Sequence, residues 1–165
     1  MTIVGTDGND TLTTGIGNDT ITGGLGNDTI SSGSGADTIK YTAGDGNDVV
    51  DGGVGTDTFA LTGANAADNI TVGSNGDRVA VSLAGDGAQI DIGGVEELVI
   101  NTGSGNDSVT INDLSNTEVA NATVTISGGE GDDTIDASAA NRTVVIDGGA
   151  GTDTMIGGSA NDTFT

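Results

Sequence analysis

Aspartate recurs in this chain at a fixed interval, and each copy closes a glycine-rich run. Asp10, Asp19, Asp28 and Asp37 stand nine residues apart at the ends of GTDGND, TGIGND, GGLGND and SGSGAD. Asp48 and Asp57 close AGDGND and GGVGTD after a two-residue slip at Tyr41 and Thr42. Asp107, Asp133, Asp153 and Asp162 close TGSGND, GGEGDD, GGAGTD and GGSAND, which makes ten copies. A carboxylate beside several unhindered backbone carbonyls is an all-oxygen donor set, the kind that hard divalent cations select. Ten such carboxylates held in register without a cation would repel one another. An isolated Asp in a turn usually only caps a nearby N–H, but ten in phase point to metal binding.

Other chemistries lack their residues. The chain has no histidine and no cysteine, which removes Ser-His-Asp and Cys-His nucleophiles, HExxH metal sites, thiolate sites and disulfides. Paired carboxylates of the glycosidase kind are abundant, yet every strong pair already belongs to a turn, so the sequence reads as non-catalytic. An EF-hand starting at Asp7 or Asp45 fails because loop position 12, where a bidentate Glu belongs, is Asn18 or Thr56. Asn-Asp-Thr also matches the N-x-S/T sequon, as do Asn69, Asn121 and Asn141 in their own contexts, but the nine-residue phrase already accounts for the Asn-Asp-Thr copies.

Composition sets the frame in which these turns must be positioned. The 165 residues carry a net charge of -22, 2% aromatics, 31 glycines and no proline. Such a chain reads as disordered by default, and only its periodicity overturns that. Three basic residues, Lys40, Arg78 and Arg142, cannot neutralise a phosphate backbone, so no nucleic-acid partner is expected. No apolar run approaches the ~20 residues of a spanning helix, so no membrane insertion is expected. Met1 to Val4 lead straight into the first repeat, which reads as no signal peptide, and the stop at Thr165 inside a repeat reads as an excised fragment.

Each phrase ends in a short T-I-T-like tail, which predicts a strand with its eighth residue inward and its seventh and ninth outward. Leu12, Ile21, Ile30, Ile39, Val50 and Phe59 should stack as one inner ladder, continued by Val109, Ile135, Met155 and Phe164. Two phrases make one coil, with each strand pairing in parallel with the strand two phrases on. The expected fold is therefore all-β, a right-handed parallel β-roll or β-solenoid of nonapeptide repeats, with degenerate longer coils in the middle. It divides, as one continuous domain, into a block at 1–60, degenerate coils at 61–101 and a second block at 102–165. In the middle, GANAADNIT and VGSNGDRVA keep Asp68 and Asp77 in phase but lose most glycines, and VAVSL, QIDI and ELVI follow. Asp86-Gly87 between alternating apolar residues is a hairpin signal, but longer coils explain the same strands and are the preferred reading. A longer turn, NDLSNTEVAN at 112–121, precedes the strand ATVTI.

These phrases resemble the RTX family, the hemolysin-type calcium-binding repeats of secreted bacterial proteins. The resemblance implies calcium as the cofactor, each ion lying between one turn and the next on the same edge of the roll. The lower turn would give the carbonyls of its second and fourth residues and its Asp; the upper turn would give those of its first and third residues and its Asp. Carried over, the first ion would use Thr6, Gly8, Asp10, Gly23, Leu25 and Asp28. The opposite edge would use Gly15, Gly17, Asp19, Ser32, Ser34 and Asp37. The next two would use Gly24, Gly26, Asp28, Ala43, Asp45 and Asp48, then Gly33, Gly35, Asp37, Gly52, Val54 and Asp57. In the second block the sets would be Gly103, Gly105, Asp107, Gly128, Glu130 and Asp133, then Gly129, Gly131, Asp133, Gly148, Ala150 and Asp153. That is about six ions, with Asp162 in a half-site at most. In the second block, Asp107 to Asp133 and Asp133 to Asp153 are spaced more widely than the family's two-phrase interval, which Asp10 to Asp28 keeps.

The function this implies is a non-enzymatic calcium-binding module of a larger secreted protein, located outside the cell or at its surface, that folds when calcium binds. In the family, such folding follows passage of the unfolded chain through a type I secretion channel. Domains of the parent protein are its expected neighbours, and the oligomeric state is left open. Alternatives are a calcium-stiffened spacer of a surface-layer or adhesin protein, or the non-catalytic tail of a secreted enzyme.

Overall fold

The computed structural model describes residues 1–119 and 122–165. Asn121, with its sequon, and the end of the 112–121 turn lie outside the described residues. Nine short strands build the first part: β1 (Thr2–Val4), β2 (Thr11–Thr13), β3 (Thr20–Thr22), β4 (Thr29–Ser31), β5 (Ser34–Gly35), β6 (Thr38–Thr42), β7 (Val49–Asp51), β8 (Val54–Gly55) and β9 (Thr58–Thr62). The middle holds longer ones: β10 (Asn69–Asn75), β11 (Arg78–Leu83), β12 (Ala88–Gly93) and β13 (Glu97–Asn101). The chain continues with β14 (Ser108–Ile111), β15 (Thr123–Ser127), β16 (Thr134–Asp136), β17 (Val144–Asp147), β18 (Thr154–Ile156) and β19 (Thr163–Phe164).

Alternate strands go to two different sheets, as two phrases per coil require. One sheet has the order β1-β3-β6-β9-β13-β15-β17-β19, and all its pairs are parallel. The other runs β2-β4-β7-β12-β11-β10-β14-β16-β18. The register steps by two phrases at Ile3↔Ile21 and Leu12↔Ile30, and by two phrases and the slip at Ile30↔Val50 and Ile39↔Phe59. The slip at Tyr41 and Thr42 is absorbed by lengthening β6, where Tyr41 turns inward opposite Leu61. The expected single inner ladder is therefore two. Ile21, Ile39 and Phe59 line one sheet, while Leu12, Ile30 and Val50 line the other, and Val109, Ile135 and Met155 continue the second from Ile70. Phe164 pairs with Ile146 at the end of the first and is 46% exposed.

The middle corrects the preference for coils alone. The coil from β9 to β13 is about twice as long as those before it, Phe59 pairing with Leu98, and it contains an antiparallel meander, β10-β11-β12. β11 is the one reversed strand in its sheet, because β12 runs parallel to β7 and β10 parallel to β14. The hairpin signal at Asp86-Gly87 marks the turn between β11 and β12, where Gly87 has φ 76°. Alternation of apolar and polar residues has period two in parallel and antiparallel strands alike, so the pattern could not choose between the two readings.

Apolar burial is uneven along the axis. Of the thirty buried apolar residues described, twenty lie between Phe59 and Ile126, so the end coils are held by a thinner core than the middle.

Candidate calcium-binding turns

The turns stack along the two edges where the sheets meet, and their hydrogen bonds follow one rule. The N–H of each Asp donates to Oδ1 of the Asp in the next turn on the same edge. This bond joins Asp10 to Asp28 (2.8 Å), Asp19 to Asp37 (2.7 Å), Asp28 to Asp48 (2.9 Å) and Asp37 to Asp57 (2.8 Å). It recurs from Asp107 to Asp133 (2.8 Å) and from Asp133 to Asp153 (3.0 Å). The structure therefore brings together all six turn pairs expected from the sequence, including the two widely spaced pairs of the second block. One residue earlier runs a second ladder that the sequence reading did not foresee. Asn27 donates its N–H to Oδ1 of Asn9, Asn47 to Asn27 and Asp132 to Asn106. This gives the Asn of the Asn-Asp pair a structural reason to be there.

Glycine is needed where turns press on one another. Gly129 and Gly131 have φ of 96° and 131°, a region costly for residues with a Cβ. A Cβ on Gly131 would also run into the Gly105 carbonyl in the turn below. The carbonyls at the second and third turn positions already accept amides across the stack: Gly103 from Glu130 (2.9 Å), Glu130 from Gly105 (2.8 Å), Gly15 from Ser34 (2.8 Å) and Gly33 from Val54 (2.8 Å). The short pair β5-β8 is this contact extended. A carbonyl oxygen has two lone pairs, so each keeps one.

What the ladder leaves unsatisfied is informative. Oδ2 of Asp28, Asp37, Asp57, Asp107 and Asp133 is buried with no hydrogen-bond partner. An unpaired buried carboxylate oxygen is costly, and no cationic side chain relieves it. The ion pairs among the described residues are Met1 N with Asp19 (2.5 Å) and Arg78 with Asp91 (3.1 Å). Nor do three acidic side chains converge on one point among the described residues, so any cation here must draw on backbone carbonyls as well. The residues fit calcium on both counts: unpaired hard oxygen, and turns that offer carbonyls beside it.

Titration follows the same physics. Burial pushes the Asp48 carboxyl up to about 6, with Asp28 and Asp45 adding repulsion against a bond from the Asp28 amide. Asp45, Asp57, Asp68 and Asp133 are also raised, with burial the largest cause in each. Asp19 is lowered, chiefly by its bond from the terminal ammonium. A carboxyl raised on folding stabilises the fold most when protonated. Its contribution is fully present below the ordinary value of ~3.9 and is lost as pH rises through the folded value, about 6 for Asp48. In chelator, strand content by circular dichroism is therefore expected to rise from pH 7 to pH 5, opposite to ordinary acid unfolding. A fall over that range would contradict this account of the ladder.

Three further features are not evident in the sequence. The turn at 63–68 is stacked under 102–107 like the others, with the Asp68 N–H donating to Oδ1 of Asp107 (2.8 Å). Alanines at 64, 66 and 67 hid it, although Asp68 was in phase. There Ala64 N donates to Oδ2 of Asp68 (2.7 Å), as Thr6 N does to Asp10 (2.6 Å) in the first turn. Tyr41 sends its hydroxyl to the Gly46 carbonyl (2.9 Å) and so clamps the 43–48 turn. Glu96 stands where an Asp would in the next turn above Asp57 and accepts the Asp57 N–H (2.8 Å).

Comparison with known proteins agrees with the turn geometry. A family model described as RTX calcium-binding nonapeptide repeat (4 copies) matches residues 4–39, 42–60, 124–144 and 143–164. These stretches cover more than half of the chain and leave out the meander. Searches of the curated proteins and of the solved structures give no match.

Proposed function

The chain belongs to the RTX calcium-binding nonapeptide repeat family, and from that premise we propose that it is a module of a larger secreted protein whose repeat coils fold when calcium fills their turns. The observation that carries this reading is the set of buried Oδ2 atoms without partners at Asp28, Asp37, Asp57, Asp107 and Asp133. Calcium supplies positive charge that no side chain of the ladder provides, and it takes 6–8 oxygen ligands. The six donor sets would be those of the stacked turn pairs, from Thr6, Gly8, Asp10, Gly23, Leu25 and Asp28 at one end to Gly129, Gly131, Asp133, Gly148, Ala150 and Asp153 at the other. The pair 63–68 and 102–107 would add a seventh through Asp68 and Asp107.

Binding and folding are then linked, because a turn that is not stacked offers half a site. Where calcium is scarce, as inside a cell, the net charge of -22 keeps the coils apart and the chain stays fit for export unfolded. At about the millimolar level of extracellular modules the turns fill and the coils stack. The module carries no chemistry of its own in this reading.

The test is far-UV circular dichroism in chelator and in millimolar calcium, paired with calorimetric titration. Strand signal is expected to grow with calcium, and the titration to count six or more ions. Identical spectra in the two conditions would sink the reading.

A further inference from the structure

We infer that a further calcium site lies above the last turn of the first block, between turn 52–57 and the short return from β12 to β13, with Glu96 taking the part of the missing Asp. The inference rests on the calcium reading above and extends it to a pair in which only one member is a nonapeptide turn.

The return is much shorter than a repeat turn. Gly93 stands opposite Asp51 at the end of β12, and Glu97 opposite Thr58 at the start of β13. Gly94, Val95 and Glu96 therefore span what Gly52 to Asp57 span below, three residues against six. Val95 is buried in the core, so the return cuts straight across the edge. Glu96 nevertheless reproduces the ladder: its Oε2 accepts the Asp57 N–H (2.8 Å), and the next residue, Glu97, donates its N–H to the Asp57 carbonyl (3.0 Å) as Thr58 does to Asp37 in the turn below (2.9 Å).

Three further observations place donors around the gap. Asp57 is fully buried and its Oδ2 has no partner. The Gly94 carbonyl comes down onto Gly52, where a Cβ would strike it, just as the Gly23 carbonyl comes down onto Gly5 and that of Gly148 onto Gly128. Gly94 thus holds the place of the first carbonyl of an upper turn. The Gly33 carbonyl, at the second position of a turn beneath a full repeat, accepts the amide of Val54. Above Gly53 the shortened return has no third-position residue to donate, which leaves that carbonyl for a cation. The donor set is Gly53 and Gly55 carbonyls with Asp57 from below, and the Gly94 carbonyl with Glu96 from above. Five protein donors, two of them carboxylates, leave room for water in the coordination shell of a calcium ion. Glutamate serves here because the return has no turn backbone to carry a shorter side chain outward.

Native mass spectrometry and calcium titration of the whole chain test this. Glu96→Gln keeps an acceptor for the Asp57 N–H but removes the charge. It is expected to bind one ion fewer than wild type, or to show one site weakened about 10-fold or more, with the other sites unchanged. Glu97→Gln, which alters a neighbouring carboxylate bonded to Thr58 Oγ1, is expected to keep the wild-type count. Equal counts and affinities in Glu96→Gln and wild type, with both folded by circular dichroism, would overturn the inference and leave the repeat sites standing. Should Glu96→Gln fail to fold, Glu96→Asp replaces it, and full occupancy there would overturn the inference equally. A wild-type chain that binds no calcium would overturn the parent reading and this one together.

Discussion

In chelator, hydrogen exchange is expected to find the strands from β9 to β15 protected while the amides of β1 to β7 and β16 to β19 exchange close to unfolded rates. Millimolar calcium should then slow the end strands by about 100-fold or more. The reason is the uneven core. An end coil fixes two whole phrases, each residue at about 1–2 kcal/mol of backbone entropy, and most of its strands bury at most one large apolar side chain, with two in β6 and β17, each returning about 1.5–3 kcal/mol. The middle strands bury two or three each, as Val79, Val81 and Leu83 do in β11. Both arginines also serve this stretch. Arg78 Nη2 donates to the carbonyls of Val50 (2.6 Å) and Asp91 (3.2 Å). Arg142 Nη1 donates to those of Val119 (2.5 Å) and Ala122 (3.4 Å). Both arginines lie on the edge where the nine-residue phrase lapses, and Arg142 stands two residues before Val144, opposite Ala122. On this edge a guanidinium satisfies backbone carbonyls from within the chain, a positive charge that the strict repeat turns do not have. Uniform exchange along the whole chain in chelator, fast or slow, would contradict this.

That unevenness was only partly legible in the sequence. The phrase set the two-sheet coil, because a nine-residue period with one inward residue admits few other arrangements, and it set the pairing of copies two apart, which the Asp ladder reproduces in all six pairs. It did not set the middle, where alternation alone cannot tell the antiparallel β11 from a parallel strand. Asp68 is in phase, but Ala64 and Ala66 stand in its turn where the phrase has glycine, which masks it. Glycine at those positions answers a turn pressing from below, as the Gly105 carbonyl presses on Gly131. The first turn of a stack is free of that demand, which is why Thr6 is tolerated as well. Glu96 was invisible for another reason: its role depends on a three-residue return that only the register of β12 and β13 reveals.

Replacing Asp28 by Asn is expected to act in opposite directions with and without calcium. Asp28 is shared by two stacked pairs, its Oδ1 accepting the Asp10 N–H while its own N–H donates to Asp48. It is 1% exposed and its Oδ2 has no partner. The asparagine keeps the acceptor for the Asp10 amide but puts an uncharged NH2 in place of Oδ2. With calcium, two ions lose a charged ligand, and the calcium concentration at which β2, β4 and β7 gain protection should rise about 10- to 100-fold. Without calcium, the same change removes a buried, uncompensated charge, whose desolvation costs about 1–3 kcal/mol or more. In chelator with trimethylamine N-oxide driving folding, the variant should therefore fold at less osmolyte than wild type. Asp113→Asn is the contrast, because Asp113 only caps Ser115, accepting from its N–H (2.9 Å) and its hydroxyl (3.1 Å). Its loss should weaken the fold alike in both conditions and leave the calcium midpoint where it was. If Asp28→Asn instead weakens the chelated and the calcium-loaded protein equally, the ladder carboxylates are caps like Asp113, and the unpaired oxygens of the turns do not mark a place for calcium.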